Sequence, residues 1–293
     1  MNKTVATIGF FDGVHRGHRY LIQQVCEEAD VRKAQSLIVT MNPHPRMILQ
    51  PGFCPDLLTT VDEKLTLLHG TGINKVEMLH FDFEMSLLTA REFMQRVLKK
   101  DFQVSTLVMG YDHNFGHGGG SFEEYCQWGC ECGIEVIQAH ELEGEHVSSS
   151  AIRKMLKAGK VEEANSMLGY PFEICGKVVS GHQVGRTMGF PTANLMPEAM
   201  KLIPKCGVYA VWAILPNTTC QKGILNIGRR PTLDNGDDIT IEVNLLHFIG
   251  DLYQSSLRLQ VMHWLRDERK FDTINELQHQ LSMDAQAADD LLG

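Results

Sequence analysis

Short apolar runs alternate with amphipathic segments through the first half of the chain. Apolar runs separated by segments of helical periodicity are typical of parallel strands joined by crossover helices. We therefore predict an α/β domain with a doubly wound parallel sheet, whose ligand crevice lies outside the carboxyl ends of the strands. The predicted strands are Val5–Ile8, Leu37–Val39, Val76–Leu79, Leu107–Met109 and Ile134–Ile137.

The segments between these strands carry helix start signals. In a capping box, a Ser or Thr hydroxyl and the carboxylate of a Glu three positions later satisfy free N–H groups at a helix start. Gly133 follows the third such segment and is expected to end its helix. The predicted capping boxes are Thr60 with Glu63, Thr89 with Glu92 and Ser121 with Glu124.

The pattern changes near Leu168–Pro171, beyond which apolar runs are punctuated by Gly and Pro and no helix is expected until about Asp272. This predicts an antiparallel β-barrel with one C-terminal helix, and hence two domains, 1–168 and 169–293. A chain of 293 residues fits two domains of about 150 residues each. The predicted strands of the second domain are Glu173–Val179, Gly207–Leu215, Gly223–Ile227, Ile239–Leu246 and Leu257–Trp264.

Composition narrows the classes of function. The formal net charge of −9 argues against a surface built mainly to hold duplex nucleic acid or an anionic membrane. No stretch approaches the roughly 20 apolar residues of a spanning helix, and Met1–Thr4 leads directly into a strand rather than a signal peptide. We expect a cytoplasmic protein, a monomer or weak homo-oligomer, that binds neither nucleic acid nor membrane.

Eight cysteines without a C-x-x-C pair indicate reduced thiols rather than a disulfide framework. Cys126, Cys130 and Cys132 could ligate zinc, but a fourth ligand is not evident. Helix packing is therefore the favoured interpretation of these three residues.

The strongest chemical signal follows the first predicted strand. The run Gly9 to His18 places glycines, His15 and His18 directly before an apolar helical face. A Gly-bearing turn that leads into a helix N-terminus offers N–H groups and the positive dipole end to a phosphate chain. Two histidines three positions apart can project from the same turn and stabilise developing charge at phosphorus. Capping residues or an accidental metal site are the alternative, but the strand, turn and helix context favours phosphate binding.

The run Gly9 to His18 resembles the signature of the nucleotidylyltransferases, and within them the FMN adenylyltransferase module of prokaryotic bifunctional riboflavin kinase/FAD synthetases. Residues 40–45 are similar to the family's T-F-x-P-H-P and residues 110–116 to its G-x-[DN]-F-x-F-G. Residues 148–153 are similar to its S-S-T-x-I-R, with Ser150 where Thr is usual. The 116–120 loop departs from the family, which tends to carry a basic residue there.

The resemblance implies a set of site residues in the first domain. His15, His18 and Arg153 are the expected catalytic residues, and Asp112 is expected to bind flavin. Arg153 follows a hydroxyl-rich helix start and offers a fixed, forked cation for a triphosphate. The expected ATP-binding residues are Gly9, Phe10, Phe11, Asp12, Gly13, His15, His18, Ser149, Ser150 and Arg153.

A second glycine-rich stretch opens the β domain. Its loops can wrap phosphates, and Thr192 and Asn194 add oxygen ligands suited to Mg²⁺, although such groups also occur in ordinary turns. The stretch closely resembles the riboflavin kinase signature G-R-x-x-G-F-P-T-A-N, and four later segments match that kinase in order. The resemblance implies that kinase ATP is bound by Gly185, Arg186, Gly189, Phe190, Pro191, Thr192 and Asn194.

Glu242 lies on a predicted strand whose apolar set includes Ile239, Ile241 and Val243, so its side chain points to the opposite face. By pattern alone this is a solvated carboxylate. The resemblance implies that it is the general base that takes the proton of the riboflavin 5′-hydroxyl. Arg266 and Phe271 are candidates to contact flavin, or they pack the barrel against the last helix.

The resemblance, which covers nearly the whole chain, implies a bifunctional enzyme. The barrel would convert riboflavin and ATP to FMN and ADP, and the α/β domain would convert FMN and a second ATP to FAD and pyrophosphate, both with Mg²⁺. One alternative is an adenylyltransferase for a pantetheine or nicotinamide acceptor, which would not need Glu242. The other is a flavin-binding regulatory protein with one or both activities lost.

Overall fold

The computed structural model describes residues 3–111, 113–142, 147–180, 192–231 and 237–293. Its contacts divide the chain into two compact units, Met1–Ser149 and Ser150–Gly293, called unit 1 and unit 2 below. Among these described residues, no helix is both long enough and apolar enough to cross a membrane.

Unit 1 contains the predicted doubly wound sheet. Over its described residues, five parallel strands pair in the order β3-β2-β1-β4-β5. From β1 the chain adds strands first on one side (β2, β3) and then on the other (β4, β5). The crevice between β1 and β4, where this order switches, is where ligands of such sheets bind. The strands are β1 (Thr4–Ile8), β2 (Gln35–Asn42), β3 (Lys75–His80), β4 (Val104–Met109) and β5 (Glu135–Gln138), so all five strand predictions are confirmed.

Helices cover both faces of this sheet, because neighbouring residues of its central strands point to opposite sides. Ala6 and Val39 belong to one buried cluster, whereas Val5 and Ile38 belong to the other. The three predicted capping boxes form, and Gly133 adopts the left-handed conformation that ends its helix. The helices are α1 (Arg16–Arg32), α2 (Pro45–Leu49), α3 (Val61–His69), α4 (Phe83–Ser86), α5 (Ala90–Phe93), which continues as a π-helix (Met94–Asp101), and α6 (Phe122–Cys132).

Unit 2 begins with two helices, α7 (Ser149–Lys157, whose first residue belongs to unit 1) and α8 (Val161–Leu168). Antiparallel strands then close a barrel in the order β10-β7-β6-β11-β8-β9. A final helix, α9 (Ile274–Leu292), follows as predicted. The strands are β6 (Phe172–Val179), β7 (Thr192–Pro197), β8 (Gly207–Ile214), β9 (Cys220–Pro231), β10 (Asp237–Leu245) and β11 (Ser256–Arg266). The predicted fold class is confirmed for both parts of the chain.

Two details of the barrel differ from the sequence prediction. Thr192 and Asn194 were expected in a loop but begin β7, because β7 pairs with β10 on one side and β6 on the other. Ile239 was expected in the core but is 49% exposed, since it lies near the end of β10 rather than in its centre. The buried side of β10 is formed by Ile241, Val243 and Leu245.

Helix α9 packs on the outside of the barrel. Its fully buried Ala288 joins a cluster with Val208 and Ala210 of β8 and Ile224 of β9. Because a small side chain lets the helix approach the strands closely, the other residues of α9 are brought near the ends of the same strands. This arrangement places one face of α9 beside the candidate kinase site.

Candidate active sites

The turn after β1 has a backbone that few side chains tolerate. Phe11 and Val14 have φ angles of 54° and 35°, and Gly13 has 79°. Non-glycine residues with positive φ each cost roughly 1–3 kcal/mol and persist only where surrounding contacts hold them. Those contacts come in part from Asp12, which is 4% exposed.

Asp12 fixes the turn to the segment before α3. Its carboxylate accepts the N–H of Leu58 at 3.0 Å, the N–H of Thr59 at 3.1 Å and the hydroxyl of Thr59 at 3.2 Å. The same hydroxyl accepts the N–H of Gly13 at 3.1 Å. The carboxylate is thus engaged within the protein, and a contact of Asp12 with ATP stays a prediction.

His15 and His18 lie together at the start of α1, as the motif predicts. Their rings stack with centroids 3.6 Å apart. His15 is the N-cap residue, and its Nδ1 accepts the N–H of His18 at 3.3 Å. A Cβ at Gly17 would lie 3.4 Å from the His15 ring, an ordinary van der Waals contact, so packing inside the protein does not by itself require glycine there.

The electrostatics of His18 favour a neutral imidazole. Burial, followed by the charges of His15, His113 and Lys64, lowers the pKa of His18 well below its usual 6.5. Its buried Nδ1 has no hydrogen-bond partner among the described residues. A bound polyphosphate would supply both an acceptor and a compensating negative charge.

Two residues near His18 were missed by the sequence prediction. His113 follows Asp112 in the loop after β4, at a position where the family motif quoted above has Phe. Lys64 belongs to α3 and is 3% exposed. The available signal for Lys64 was its spacing, because it lies four positions before the buried Leu68 and so on the apolar side of its helix.

Lys64 is held by three oxygen atoms. Its Nζ donates to the carbonyl of Phe10 at 3.1 Å, the hydroxyl of Thr40 at 3.2 Å and the carbonyl of Met41 at 3.1 Å. Nζ also lies 4.0 Å from the centre of the Phe10 ring. Burial lowers the pKa of Lys64 to about 8, and the neighbouring Asp12 opposes that shift.

The remaining predicted residues of this site belong to the segment around Ser149 or lie outside the described residues. The hydroxyl of Ser149, the last residue of unit 1, donates to the carbonyl of Asp12 at 2.9 Å. Ser150 and Arg153 follow on α7 and belong to unit 2. Asp112 lies outside the described residues.

In unit 2 the structure brings predicted residues from β7, β10, β11 and the following loop to one cavity of about 290 Å³ between the barrel and α9. Glu242 pairs directly with Asn194 of β7 and with Asn226 of β9, so these three residues share a face of the sheet. Among the residues that line this cavity are Thr192, Glu242, Arg266 and Phe271.

Thr192 also lines a second, larger cavity of about 710 Å³ at the barrel end, together with Ser180 and the 248–253 segment. Thr192 therefore borders both cavities. Gly185, Arg186, Gly189, Phe190 and Pro191, the rest of the predicted kinase nucleotide loop, lie outside the described residues.

Arg266 is engaged by a residue that the sequence prediction missed. Its guanidinium donates to the carboxylate of Asp284 on α9 at 2.8, 3.0 and 3.1 Å, and Asp284 is 3% exposed. Gln280, one turn earlier, donates to the same carboxylate at 2.7 Å. The ring of Phe271 lies 4.6 Å from the guanidinium carbon of Arg269 and 5.8 Å from that of Arg266. The sequence signal for Asp284 was weak: it is a carboxylate near the small residues Ala285 and Ala288, which indicate the side of the helix that packs closely on the barrel.

The donors available for a metal ion are oxygens. No group of three or more His, Cys, Asp or Glu side chains in the described ranges is placed to hold a metal. This applies to Cys126, Cys130 and Cys132, for which helix packing was the favoured interpretation. The Thr192 hydroxyl and the Asn194 amide oxygen, beside Glu242, are of the type that Mg²⁺ prefers.

Two family models match the chain. The model described as FAD synthetase matches residues 1–151, and the model described as riboflavin kinase matches residues 168–292. The two matches follow the same order as the two sites.

Full-length relatives carry both names. The bifunctional riboflavin kinase/FMN adenylyltransferase of Escherichia coli (strain K12) is 36% identical over 292 residues, covering 99% of this chain and 93% of the relative. The proteins of the same description from Pseudomonas fluorescens and Bacillus subtilis (strain 168) are 35% and 32% identical, covering 97% and 98% of this chain and 91% and 92% of the relatives.

A solved structure is similar in fold over the same extent. The crystal structure described as a macrolide-efflux protein from Streptococcus pneumoniae has a TM-score of 0.89 and 29% sequence identity, and the match covers 98% of this chain and 94% of that one.

Proposed function

The chain belongs to the family of bifunctional riboflavin kinase/FMN adenylyltransferases, and from that premise we propose which residues carry each of its two reactions. It is a transferase that consumes ATP twice. The C-terminal riboflavin kinase part forms FMN and ADP, and the N-terminal FAD synthetase part joins FMN to an adenylyl group with release of pyrophosphate.

In the kinase site, riboflavin occupies the cavity beside α9 and the ATP phosphates occupy the larger cavity. The observation that carries this assignment is that Thr192 lines both cavities while Glu242 lines the smaller one. Glu242 accepts the proton of the riboflavin 5′-hydroxyl as that oxygen bonds to the γ-phosphorus, and the bond from the γ-phosphorus to the bridging oxygen of ADP breaks. Phe271 supplies an aromatic face for the flavin.

Mg²⁺ is held at the kinase site by Thr192 and Asn194. When bound, the ion neutralises charge on the ATP phosphates. Thr192 and Asn194 both pair with β10, and Asn194 also pairs with β6, so the sheet orients their side chains before any nucleotide arrives.

In the adenylyltransferase site, the triphosphate lies at the N-terminus of α1. A phosphate oxygen of FMN bonds to the α-phosphorus of ATP, and the bond between that phosphorus and the oxygen that bridges to the β-phosphate breaks. The neutral His18 donates a hydrogen bond to the triphosphate, and the charge that develops raises its affinity for a proton. Arg153 contributes a fixed positive charge to the same phosphates. The main chain of Gly9 to Gly13 binds ATP, and so do the hydroxyls of Ser149 and Ser150.

We further propose a boundary at residues 168 and 169, where the riboflavin kinase match begins. The protein acts on small molecules in the cytoplasm as a monomer or weak homo-oligomer, with neither nucleic acid nor membrane as a partner.

The test separates the two reactions on the full chain. Purified protein is incubated with riboflavin, ATP and Mg²⁺, and riboflavin, FMN and FAD are separated over time; FMN is expected before FAD. Glu242→Gln should lower FMN formation by roughly 10²–10⁴-fold while FMN supplied directly still becomes FAD. His18→Asn should leave FMN formation unchanged and lower FAD formation by about 10²–10³-fold.

Matched controls are Glu163→Gln, which removes the charge of an exposed glutamate of unit 2, and His69→Asn at the end of α3. Both should retain both activities. Flavin binding without any product would instead support the regulatory protein, and FMN formation by Glu242→Gln at the normal rate would exclude Glu242 as the base.

A further inference from the structure

A buried lysine without a carboxylate in hydrogen-bonding contact is costly. Removing an ammonium from water carries a penalty of several kcal/mol even after relaxation, and well-packed apolar residues often serve stability as well or better. Lys64 is 3% exposed, and the three hydrogen bonds described above go to uncharged oxygens. Its position on the apolar side of α3 would suit Leu or Met if packing were its only purpose.

The acceptors of Lys64 come from two different chain segments. Phe10 begins the turn after β1, whereas Thr40 and Met41 are at the end of β2 and directly precede residues 42–45. Thr40 completes the arrangement, because its hydroxyl donates to the Phe10 carbonyl at 3.1 Å. A single ammonium therefore joins the carboxyl ends of two neighbouring parallel strands, where the candidate triphosphate site begins.

The same ammonium also orders aromatic rings. The Phe10 ring lies beneath Lys64 Nζ and contacts the His44 ring with a centroid distance of 4.3 Å. His44 caps α2 by accepting the N–H of Arg46 at 3.1 Å. Contacts thus run from Lys64 through Phe10 to His44, which belongs to the family motif at residues 40–45.

We propose that Lys64 is a positioning residue for adenylyl transfer: its buried ammonium clamps the turn after β1 against the end of β2 and so fixes the helix start that receives the triphosphate. The positive φ angles of Phe11 and Val14 explain why a clamp is needed, because such a turn relaxes unless its neighbours hold it. Lys64 contacts no reacting atom in this assignment. The inference rests on the proposed adenylyl transfer in unit 1.

The experiment measures both activities of the full chain for Lys64→Met, a neutral residue of similar length, and for Lys64→Arg, which keeps the charge. Lys64→Met should lower kcat for FAD formation by about 10²-fold with a smaller change in KM for ATP, because a misplaced site loses the transition-state geometry first. Lys64→Arg should recover part of that loss. FMN formation in unit 2 should stay the same in both variants.

Lys75→Met, which removes an exposed lysine from β3 of the same unit, is the matched control and should retain FAD formation. A folded Lys64→Met protein with kcat within threefold of the unsubstituted protein overturns the inference. Where Lys64→Met does not fold, Thr40→Val decides, since it removes one acceptor and keeps the ammonium. A tenfold fall in kcat supports the clamp, and a change below twofold overturns it.

The two hypotheses fail differently. If the unsubstituted protein makes no FAD from FMN and ATP, the proposed function of unit 1 is wrong. If it makes FAD and the Lys64 and Thr40 variants make it equally well, only the role of Lys64 is wrong.

Discussion

Each unit places a cation beside its candidate site, but the two cations have different partners and different burial. In unit 1 the ammonium of Lys64 donates to two carbonyls and a hydroxyl, whereas in unit 2 the guanidinium of Arg266 donates to the carboxylate of Asp284. Gln280 adds a further hydrogen bond to that carboxylate. The first arrangement holds a buried charge, and the second holds an ion pair whose carboxylate is buried and whose guanidinium side chain is 20% exposed.

The two arrangements differ in how much of the desolvation penalty remains and in whether pH or substitution disturbs them. Neutral oxygens leave most of the desolvation penalty in place, so the pKa of Lys64 falls to about 8 and its charge can be lost in mildly alkaline solution. An ion pair offsets much of the penalty by mutual attraction, but removal of either partner leaves the other charge without its counter-ion in a site largely shielded from water. We therefore expect the Lys64 clamp to respond to pH and the Arg266–Asp284 pair to respond to substitution.

The largest effect is expected from Asp284→Ala. The variant leaves Arg266 with no carboxylate at that position. Because the Arg266 side chain is 20% exposed, we expect a loss near the lower end of the roughly 3–5 kcal/mol that breaking a fully buried pair costs. The free energy of unfolding of unit 2 can be followed by urea titration and tryptophan fluorescence in a Trp128→Phe background, where the remaining tryptophans, Trp212 and Trp264, lie in unit 2. Asp289→Ala is the control, because Asp289 is on the same helix in a more exposed pair with Lys222. Equal losses for the two variants would contradict the importance of the Arg266–Asp284 pair.

A smaller effect is expected in unit 1 when the pH of the solution is raised: its free energy of unfolding should increase rather than decrease. The pKa of Lys64 is lower in the folded protein than its ordinary value of 10.5, so below pH 8 both states hold the proton and the burial penalty is complete. Between pH 8 and about 10.5 the folded state loses the proton first. The free energy of unfolding then rises relative to Lys64→Met, by an amount on the order of 3 kcal/mol when complete.

Over the same range FAD formation should fall, because the clamp loses its charge while the fold gains stability. The groups that face Lys64 are Asp12 and His18, and because burial holds the pKa of His18 well below 6.5, its imidazole is already neutral at pH 8. The unfolding of unit 1 is followed by the fluorescence of Trp128, which is obtained as the difference between the protein with Trp128 and its Trp128→Phe variant. A constant stability difference between the protein and Lys64→Met from pH 7 to 10 would show that Lys64 does not titrate in this range.

The smallest effect on stability is expected from replacing both members of the ion pair. Arg266→Met with Asp284→Leu removes both charges, and such apolar replacements are often neutral or stabilising, so unit 2 should unfold within about 1 kcal/mol of the unsubstituted protein. Because Arg266 lines the smaller cavity, KM for riboflavin should still rise by about tenfold, the loss of one charge-assisted hydrogen bond. A double variant as unstable as Asp284→Ala would mean that packing, not charge, makes this position sensitive.

Much of the fold could be predicted because its signals are local. The strands of unit 1, the capping boxes and the Gly133 terminus each depend on a few neighbouring residues, and all of them formed as expected. Strand β7 was missed because its pairing partners, β6 and β10, are distant in the chain, and a stretch rich in Gly and Pro gives no local strand signal.

In the candidate sites too, contacts between residues close in sequence could be predicted, and contacts between distant residues could not. His15 and His18 could be paired from sequence, since three residues separate them at a helix start and their rings stack. Glu242 could be assigned to the face away from Ile241 and Val243 by alternation, but its meeting with Asn194 and Thr192 depends on strand register.

By itself the sequence determined the two-part architecture, the family and the motif residues, because periodicity, caps and motif spacing are properties of short segments. Only the tertiary structure decided that Lys64 joins two strand ends and that Asp284 faces Arg266. Each of these contacts connects residues from different elements, such as α3 with β1 and β2, or α9 with β11. Burial then decides what such a charge does, because the same lysine or aspartate on an exposed helix face would only be solvated.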